Sequence, residues 1–340
     1  MARVVVIGGG VIGCAIAERL TLERHHVTLL ERDRLGGRAS GAAAGELSPQ
    51  AAGRTLESAA RSLRMFPELV ARIEKDAGVE AEYRPLPALL PAFDEDEAAR
   101  LRACGGRWLD AQACRGMAPS LTPDAVGALL LNHAQITPPR FVRALARAAA
   151  SRGAEIREGT PATGLVVEGG EVRGVRTPSA TLEADWVVIA AGPWSSEVAS
   201  SAGITVDVRP QRGQLAALSS TSVRLTQSIF WSTGYLVPKP DGTVIAGGTE
   251  EDSGFDDRPT VAGAASLLSF ACRMVPDLGA ATLERLWAGL RPVTPDGEPI
   301  ERLAPGVANL IVATGHHRKG ILLSPLAAAT VASMIGGSRK

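Results

Sequence analysis

The chain opens with a strand-like apolar run followed by a helix-like one. A β-branched run from Val4 to Ile7 leads into the glycine-rich sequence GGGVIG, and apolar residues then recur at helical spacing. A second apolar run, HHVTLLER, ends in Glu31. This order predicts a buried strand, a glycine turn, a helix and a second strand.

Later patterns predict further strands. ADWVVIAAGPWS contains an apolar strand from Trp186 to Ala190, and NLIVA is a strand that precedes a helix beginning near Gly320. The segment RGAEIREGTPATGLVVEGGEVRGVRTPSATLEA reads as short strands separated by Gly-Gly and Pro-Ser turns.

Two insertions differ from these parts. Residues 78–133 are rich in proline and acids, and residues 205–286 contain two strands joined by Pro-Asp-Gly, followed by a helix-like run. They predict a mostly antiparallel domain interleaved with the first. We expect the first domain at 1–77, 134–204 and 287–340, and the second at 78–133 and 205–286.

Charge and cysteine content narrow the function classes. The chain has 36 basic and 36 acidic residues, so no basic field is available for nucleic acid or anionic lipid, and a small molecule is the expected partner. Four cysteines without a Cys-x-x-Cys pair, and no signal peptide, predict a reduced, cytoplasmic protein. No apolar run approaches the roughly 18 residues of a membrane span, so we expect no membrane role.

The glycine turn indicates nucleotide binding. Gly8, Gly10 and Gly13 follow a strand and open a helix, so they permit a tight turn and close approach to a pyrophosphate at the helix N-terminus. Glu31 lies eighteen residues after Gly13, where an acid hydrogen-bonds a ribose. The alternative is a glycine-rich turn with an incidental acid.

The next segment distinguishes between cofactors. A nicotinamide-binding unit usually continues with a second crossover helix, whereas here a run of small residues follows, GGRASGAAAG. A flexible linker is the alternative. The segment GGRASGAAAGELSP resembles glycine oxidases, which belong to the D-amino-acid oxidase superfamily of FAD enzymes. RLWAGLRPVTPDGEPI resembles the same family almost residue for residue, and the resemblance runs from Gly8 to about Pro325.

Arg291 in RLWAGLRPV is the first candidate for substrate binding. An arginine at a glycine-preceded turn and followed by proline is rigidly presented, and its planar fork suits a carboxylate bidentately. The alternative is a surface arginine paired with Asp296 or Glu298.

The resemblance implies an α/β fold, with a Rossmann-like FAD-binding domain interleaved with a mainly antiparallel substrate domain. FAD is expected to be noncovalent, because covalent members would carry a histidine in the Ala-Ala-Ala position or a suitable cysteine, and this chain has Ala43 there. The implied substrate residues are Arg291, Arg318 and Tyr235. The implied FAD residues are Gly8, Gly10, Val11, Ile12, Gly13, Glu31, Arg32, Arg38, Ala39, Ser40, Ala44, Gly45, Glu46, Ala162, Gly192, Gly315, His316, His317, Lys319, Gly320, Ile321 and Leu322.

The resemblance also implies an activity. A small amino acid or amine, such as glycine, sarcosine or D-alanine, would pass hydride to the flavin. Oxygen would then give hydrogen peroxide, the imine would hydrolyse or supply thiamine thiazole synthesis, and the enzyme would be a homo-oligomer, a tetramer in similar proteins. A dehydrogenase that uses a quinone or carrier is the alternative, kept because Glu46 replaces an apolar residue beside the flavin. A nonenzymatic FAD or NAD module is the third hypothesis.

The stretch ATGHHRKGILLSP, residues 313–325, contains two adjacent histidines. They lack a third ligand at a convincing spacing, so no metal site is expected. The resemblance makes the stretch a flavin-contacting turn in which Arg318 faces the substrate. His317, Lys319 and Glu250 depart from the family pattern, and Lys319 has no assigned role.

Overall fold

The structure, a computed structural model, describes residues 1–49 and 56–337. The chain divides into two compact units. The first unit comprises Met1–Ala81, Thr137–Gln211 and Leu290–Lys340, and the second comprises Glu82–Ile136 and Arg212–Gly289. The assignment of the first domain to FAD and of the second to substrate stays a prediction.

The first unit contains both helices and strands, and strands dominate the second. Among the described residues, the helices are α1 (Val11–Leu22), α2 (Ala39–Ala42), α3 (Leu56–Ala77), α4 (Glu95–Ala103), α5 (Ala111–Met117), α6 (Pro138–Ser151), α7 (Ser195–Ser200), α8 (Val261–Met274) and α9 (Gly320–Gly337). The strands are β1 (Arg3–Ile7), β2 (His26–Leu30), β3 (Glu46–Leu47), β4 (Arg84–Pro85), β5 (Ala88–Ala92), β6 (Arg107–Asp110), β7 (Gly127–Leu131), β8 (Ala134–Gln135), β9 (Glu155–Arg157), β10 (Gly164–Glu168), β11 (Glu171–Arg176), β12 (Thr181–Glu183), β13 (Trp186–Ile189), β14 (Arg209–Ser219), β15 (Ser228–Trp231), β16 (Gly234–Pro238), β17 (Val244–Gly247), β18 (Thr282–Val293), β19 (Ile300–Leu303) and β20 (Leu310–Thr314).

The first unit is built on a six-stranded sheet of order β19-β20-β13-β1-β2-β9. Its strands pair in parallel except for the edge strand β19, which runs antiparallel to β20. Helices α1, α3, α6 and α9 pack together, and Val6 lies against Gly13 of α1. Val5 and Ile7 instead pack against Leu165 of the β10-β11-β12 sheet. Burial on both faces explains why the central strands read as unbroken apolar runs.

Helix α9 corrects one sequence expectation. The helical segment His317–Gly337 is long and apolar enough to cross a membrane by length and composition, so the expectation that no such run exists was wrong. The apolar run reads as interrupted because Ser324 and Pro325 lie within it, yet Ser324 donates a hydrogen bond to the Ile321 carbonyl inside the helix. Core helices meet the same criterion, and α9 packs against α1 and α3.

The second unit contains an eight-stranded sheet of order β18-β14-β17-β16-β15-β5-β7-β6. From β14 to β6 its pairs are antiparallel except β15 with β5, which confirms the mostly antiparallel prediction. Strands β16 and β17 are joined by the predicted Pro-Asp-Gly turn, in which Gly242 has φ +89°. One face packs on α8, which begins where the Thr260 hydroxyl accepts a hydrogen bond from the Gly263 N–H.

Candidate active site

The predicted nucleotide loop leaves the carboxyl end of β1. Gly8 has φ +114°, and a Cβ there would clash with the Ala190 carbonyl at the end of β13. A Cβ at Gly13 would clash with the Gly8 carbonyl. Glycine at these positions therefore allows the loop, α1 and the end of β13 to lie in close contact.

The N-terminus of α1 is suited to an anion. Gly10 is extended, and the Val11 N–H donates to the Ser40 hydroxyl of α2 at 2.9 Å. The first turn of α1 contains no acidic residue, so no carboxylate of the helix itself competes with a bound anion for the positive end of the helix dipole. The structure thus brings the small-residue segment against the glycine turn.

Glu31 also reaches the glycine turn. Its Oε2 accepts from the Gly9 N–H at 2.7 Å, and its Oε1 accepts from the Asp33 N–H at 2.8 Å. A carboxylate offers about four acceptor positions. Both oxygens therefore retain capacity for the hydroxyls of a ribose.

Two more segments meet this loop at the carboxyl end of the parallel sheet. The Thr314 hydroxyl at the end of β20 donates to the Gly192 carbonyl at 2.8 Å. A Cβ at Gly320 would lie 3.9 Å from Val11 Cγ1. Segments that are far apart in sequence therefore converge where an open α/β sheet binds its ligand.

Arg32 and Arg38 surround an aromatic residue that sequence reasoning missed. The Arg32 guanidinium lies 3.9 Å from the ring centroid of Trp194. Arg38 Nη2 lies 2.6 Å from Asp33 Oδ2, and this hydrogen bond, with the charge of Arg38, holds the pKa of the Asp33 carboxyl below its usual value. A tryptophan directly after Gly-Pro at the end of a buried strand was the available signal.

The turn Gly315–Gly320 connects β20 to α9, which begins at Gly320 as predicted. His316 is 2% exposed, and its Nε2 lies 2.9 Å from Glu301 Oε1. His317 Nε2 lies 2.8 Å from Gln211 Oε1. Arg318 is exposed, whereas Lys319 is half-buried. Burial lowers the pKa of Lys319, and the positive charge of Arg318 lowers it further, while the negative charge of Glu298 acts in the opposite direction.

Arg291 lies inside β18, half-buried, and not at a turn as expected. The proline after it suggested a break in the strand, but β18 is an edge strand, where a residue without an N–H is accommodated. Tyr235 is in β16 of the second unit, opposite Gly247, where a Cβ would clash with its ring. Their substrate roles stay predictions.

The other candidate residues all lie in the first unit. Ala44 and Gly45 are buried, Ala162 packs at the edge of an apolar cluster, and Ile321 and Leu322 are buried in the first turn of α9. Ala39, in α2, and Glu46, in β3, are partly buried, and Ile12 is buried in the first turn of α1. Within residues 1–49 and 56–337, no group of three His, Cys, Asp or Glu residues is placed to hold a metal.

Comparisons with known proteins agree with this geometry. Residues 3–334 match the model of the family described as FAD dependent oxidoreductase. A glycine oxidase of Geobacillus kaustophilus is 33% identical over 98% of this chain and 92% of its own length. The bifunctional protein ThiO/ThiG of Trichormus variabilis is 36% identical over 98% of this chain, and the chain spans about half (52%) of that relative's length.

Solved structures show the same fold. A glycine oxidase structure from Bacillus cereus superposes with a TM-score of 0.94 at 30% identity, covering 100% of this chain and 98% of that one. The glycine turn, the α1 N-terminus and Glu31 fit the pyrophosphate and ribose of FAD. The resemblance to glycine oxidases is confirmed, and the chain belongs to the FAD-dependent oxidoreductase family.

Proposed function

We propose that the chain is an FAD-dependent oxidase of glycine or another small amine, such as sarcosine or D-alanine. One observation carries the proposal: the match to glycine oxidases extends over nearly the whole of both chains. The match to bifunctional ThiO/ThiG proteins supports a link to thiamine thiazole synthesis. Assembly as a tetramer and a cytoplasmic location stay predictions.

Different residues would bind the cofactor and the substrate. The glycine turn, Ser40 and Glu31 would hold FAD, which supplies the electron acceptor when bound. Arg291 would bind the substrate carboxylate through its planar fork, and Tyr235 and Arg318 are the other predicted substrate residues. Electron transfer from a neutral amine demands alignment of the substrate more than a proton-transfer residue, so no general base is assigned.

The proposal is tested with purified protein reconstituted with FAD. Peroxide is measured with glycine, sarcosine and D-alanine, with and without an artificial electron acceptor. Peroxide formation supports an oxidase, and turnover that requires the acceptor indicates a dehydrogenase. Absence of flavin absorbance after reconstitution contradicts both.

Arg291→Leu tests the substrate role. Loss of hydrogen bonds to a charged group costs about 1.5–3 kcal/mol, so kcat/KM should fall roughly 10- to 150-fold, mainly through KM, with FAD still bound. Arg285→Leu is the matched control, because Arg285 is an exposed arginine of the same strand, β18. Release of FAD by the Arg291 variant would place this residue in the cofactor site instead.

A further inference from the structure

The two adjacent histidines of the turn Gly315–Gly320 bond to different strands. His316 meets Glu301 on the edge strand β19, and His317 meets Gln211 on β14. The last backbone pair between β19 and β20 is Ile300 with Thr314. The side-chain contacts of His316 and His317 therefore hold the chain to neighbouring strands beyond the end of the β19–β20 pairing.

The turn has a backbone that its own residues do not favour. His317 has φ +47°, a left-handed conformation that costs a non-glycine residue roughly 1–3 kcal/mol and persists only where its surroundings impose it. A Cβ at Gly315 would lie 2.5 Å from Thr294 Cγ2. Inside the turn, the Lys319 N–H donates to the His316 carbonyl at 2.8 Å. The side-chain contacts with Glu301 and Gln211 add to this internal hydrogen bond in holding the conformation.

Glu301 is the partner of the buried His316 ring. Its side chain is 19% exposed and lines a cavity of about 400 Å³ together with Asp207, Asp296 and Glu298. The contact thus joins one buried side chain to one that reaches the lining of this cavity.

We propose that His316 and His317 are positioning residues, two side-chain anchors that hold this turn in the conformation that receives FAD. The inference rests on the proposed function for its cofactor. The turn ends at Gly320, the first residue of α9, and a binding constellation must be held within about 0.5 Å. Neither histidine needs to touch the reacting atoms.

The test removes each acceptor and leaves both histidines in place. Glu301→Leu and Gln211→Leu should each raise the FAD dissociation constant about tenfold and shift the visible spectrum of the bound flavin. Glu301→Gln and Gln211→Glu retain an acceptor oxygen and should bind FAD within about threefold of the original protein. Asp207→Asn is the matched control, an acid of the same cavity, and should change neither quantity.

Thermal unfolding of the FAD-free variants separates packing from positioning. A merely structural contact would lower the unfolding temperature without changing the spectrum of bound flavin. If the leucine variants keep the FAD affinity and spectrum of the original protein, the proposed positioning role is wrong. It is also wrong if Glu301→Gln and Gln211→Glu bind FAD as weakly as the leucine variants. Gln211→Leu, at a half-buried position, gives an independent answer if Glu301→Leu does not fold. Failure of the original protein to bind FAD overturns the proposed function as well.

Discussion

At the scale of single residues, Gly13 offers the sharpest test of the nucleotide loop. A Cβ there would clash with the backbone carbonyl of Gly8, which has no flexible side chain to move aside. Gly13→Ala should therefore push α1 away from β1 and abolish FAD binding, as measured by flavin retention on a sizing column. The helix itself should form, because alanine favours it.

Gly336→Ala is the control for that substitution. Gly336 lies in α9, and a Cβ there would meet no atom within 4 Å. Alanine in place of an exposed helical glycine stabilises by up to about 1 kcal/mol, so this variant should bind FAD normally and unfold at an equal or higher temperature. Equal FAD binding by both variants would contradict the importance of the close approach at Gly13.

The placement of residues could be predicted where it depends on local sequence. Gly8, Gly13 and Glu31 follow a strand at fixed spacing, and the structure brings all three to one loop. The partners of His316 and Trp194 could not be predicted, because Glu301 and Arg32 come from other strand ends that only the folded sheet brings near. Local sequence patterns indicate contacts between residues that are close in sequence, but not contacts between residues on different strands of the folded sheet.

At the scale of elements, a buried charge cluster holds the segment Thr249–Thr260 to β14. Arg212 is 8% exposed, and its Nη2 lies 2.6 Å from Glu251 Oε2. Glu251 also accepts hydrogen bonds from Thr249 and Gln214. Burial alone raises the pKa of the Glu251 carboxyl, but the hydrogen bonds from Thr249, Arg212 and Gln214 outweigh it, so the pKa lies below its usual value.

Glu251→Gln should reveal this cluster through the pH dependence of stability. A depressed carboxyl pKa contributes stability that is present above the unfolded value of about 4.3 and is lost as pH falls through the folded value. The variant should lose about 2 to 3 kcal/mol at pH 7, since buried Arg212 loses the carboxylate that its Nε and Nη2 bind and, among the described residues, keeps only Asp256 as an ion-pair partner, at 3.9 Å. The difference from the original protein should shrink below about pH 4.3.

Urea unfolding at several pH values measures that difference. Asp277→Asn is the control, because Asp277 is an exposed acid of the same unit, and its substitution should cost at most about 0.5 kcal/mol at pH 7. A constant difference between Glu251→Gln and the original protein from pH 7 to pH 3 would show that the contact is not charge-dependent.

Strands were predictable where the apolar pattern continued without interruption. Strands β1, β13 and β20 were all expected, because their burial on both faces leaves an unbroken apolar run. Strand β18 was misread, since Gly289 and Pro292 look like a turn until the strand is seen at a sheet edge. The Arg212–Glu251 cluster had no local signal, because the two residues are 39 positions apart.

At the scale of the whole molecule, the fold class was predictable and the strand order was not. Alternation of strands and helices, with one insertion rich in proline and acids and another containing two strands, predicted an α/β domain interleaved with an antiparallel one. The order β19-β20-β13-β1-β2-β9 places β1 next to β13, about 180 residues away. Apolar runs of similar composition do not determine which of them become neighbours.

The interleaving leads to a prediction for the complete chain. If FAD binds the first unit, then hydrogen exchange should slow together in three separate segments, residues 8–13, 40–46 and 315–322. Bound FAD at 100 times its dissociation constant also stabilises the folded protein by about 2.7 kcal/mol, so short exchange times are needed to isolate local protection. Amides of β6, Arg107–Asp110 in the second unit, serve as the control and should exchange equally with and without FAD. Protection limited to one of the three segments, or to the second unit, would show that FAD does not bind the converging strand ends.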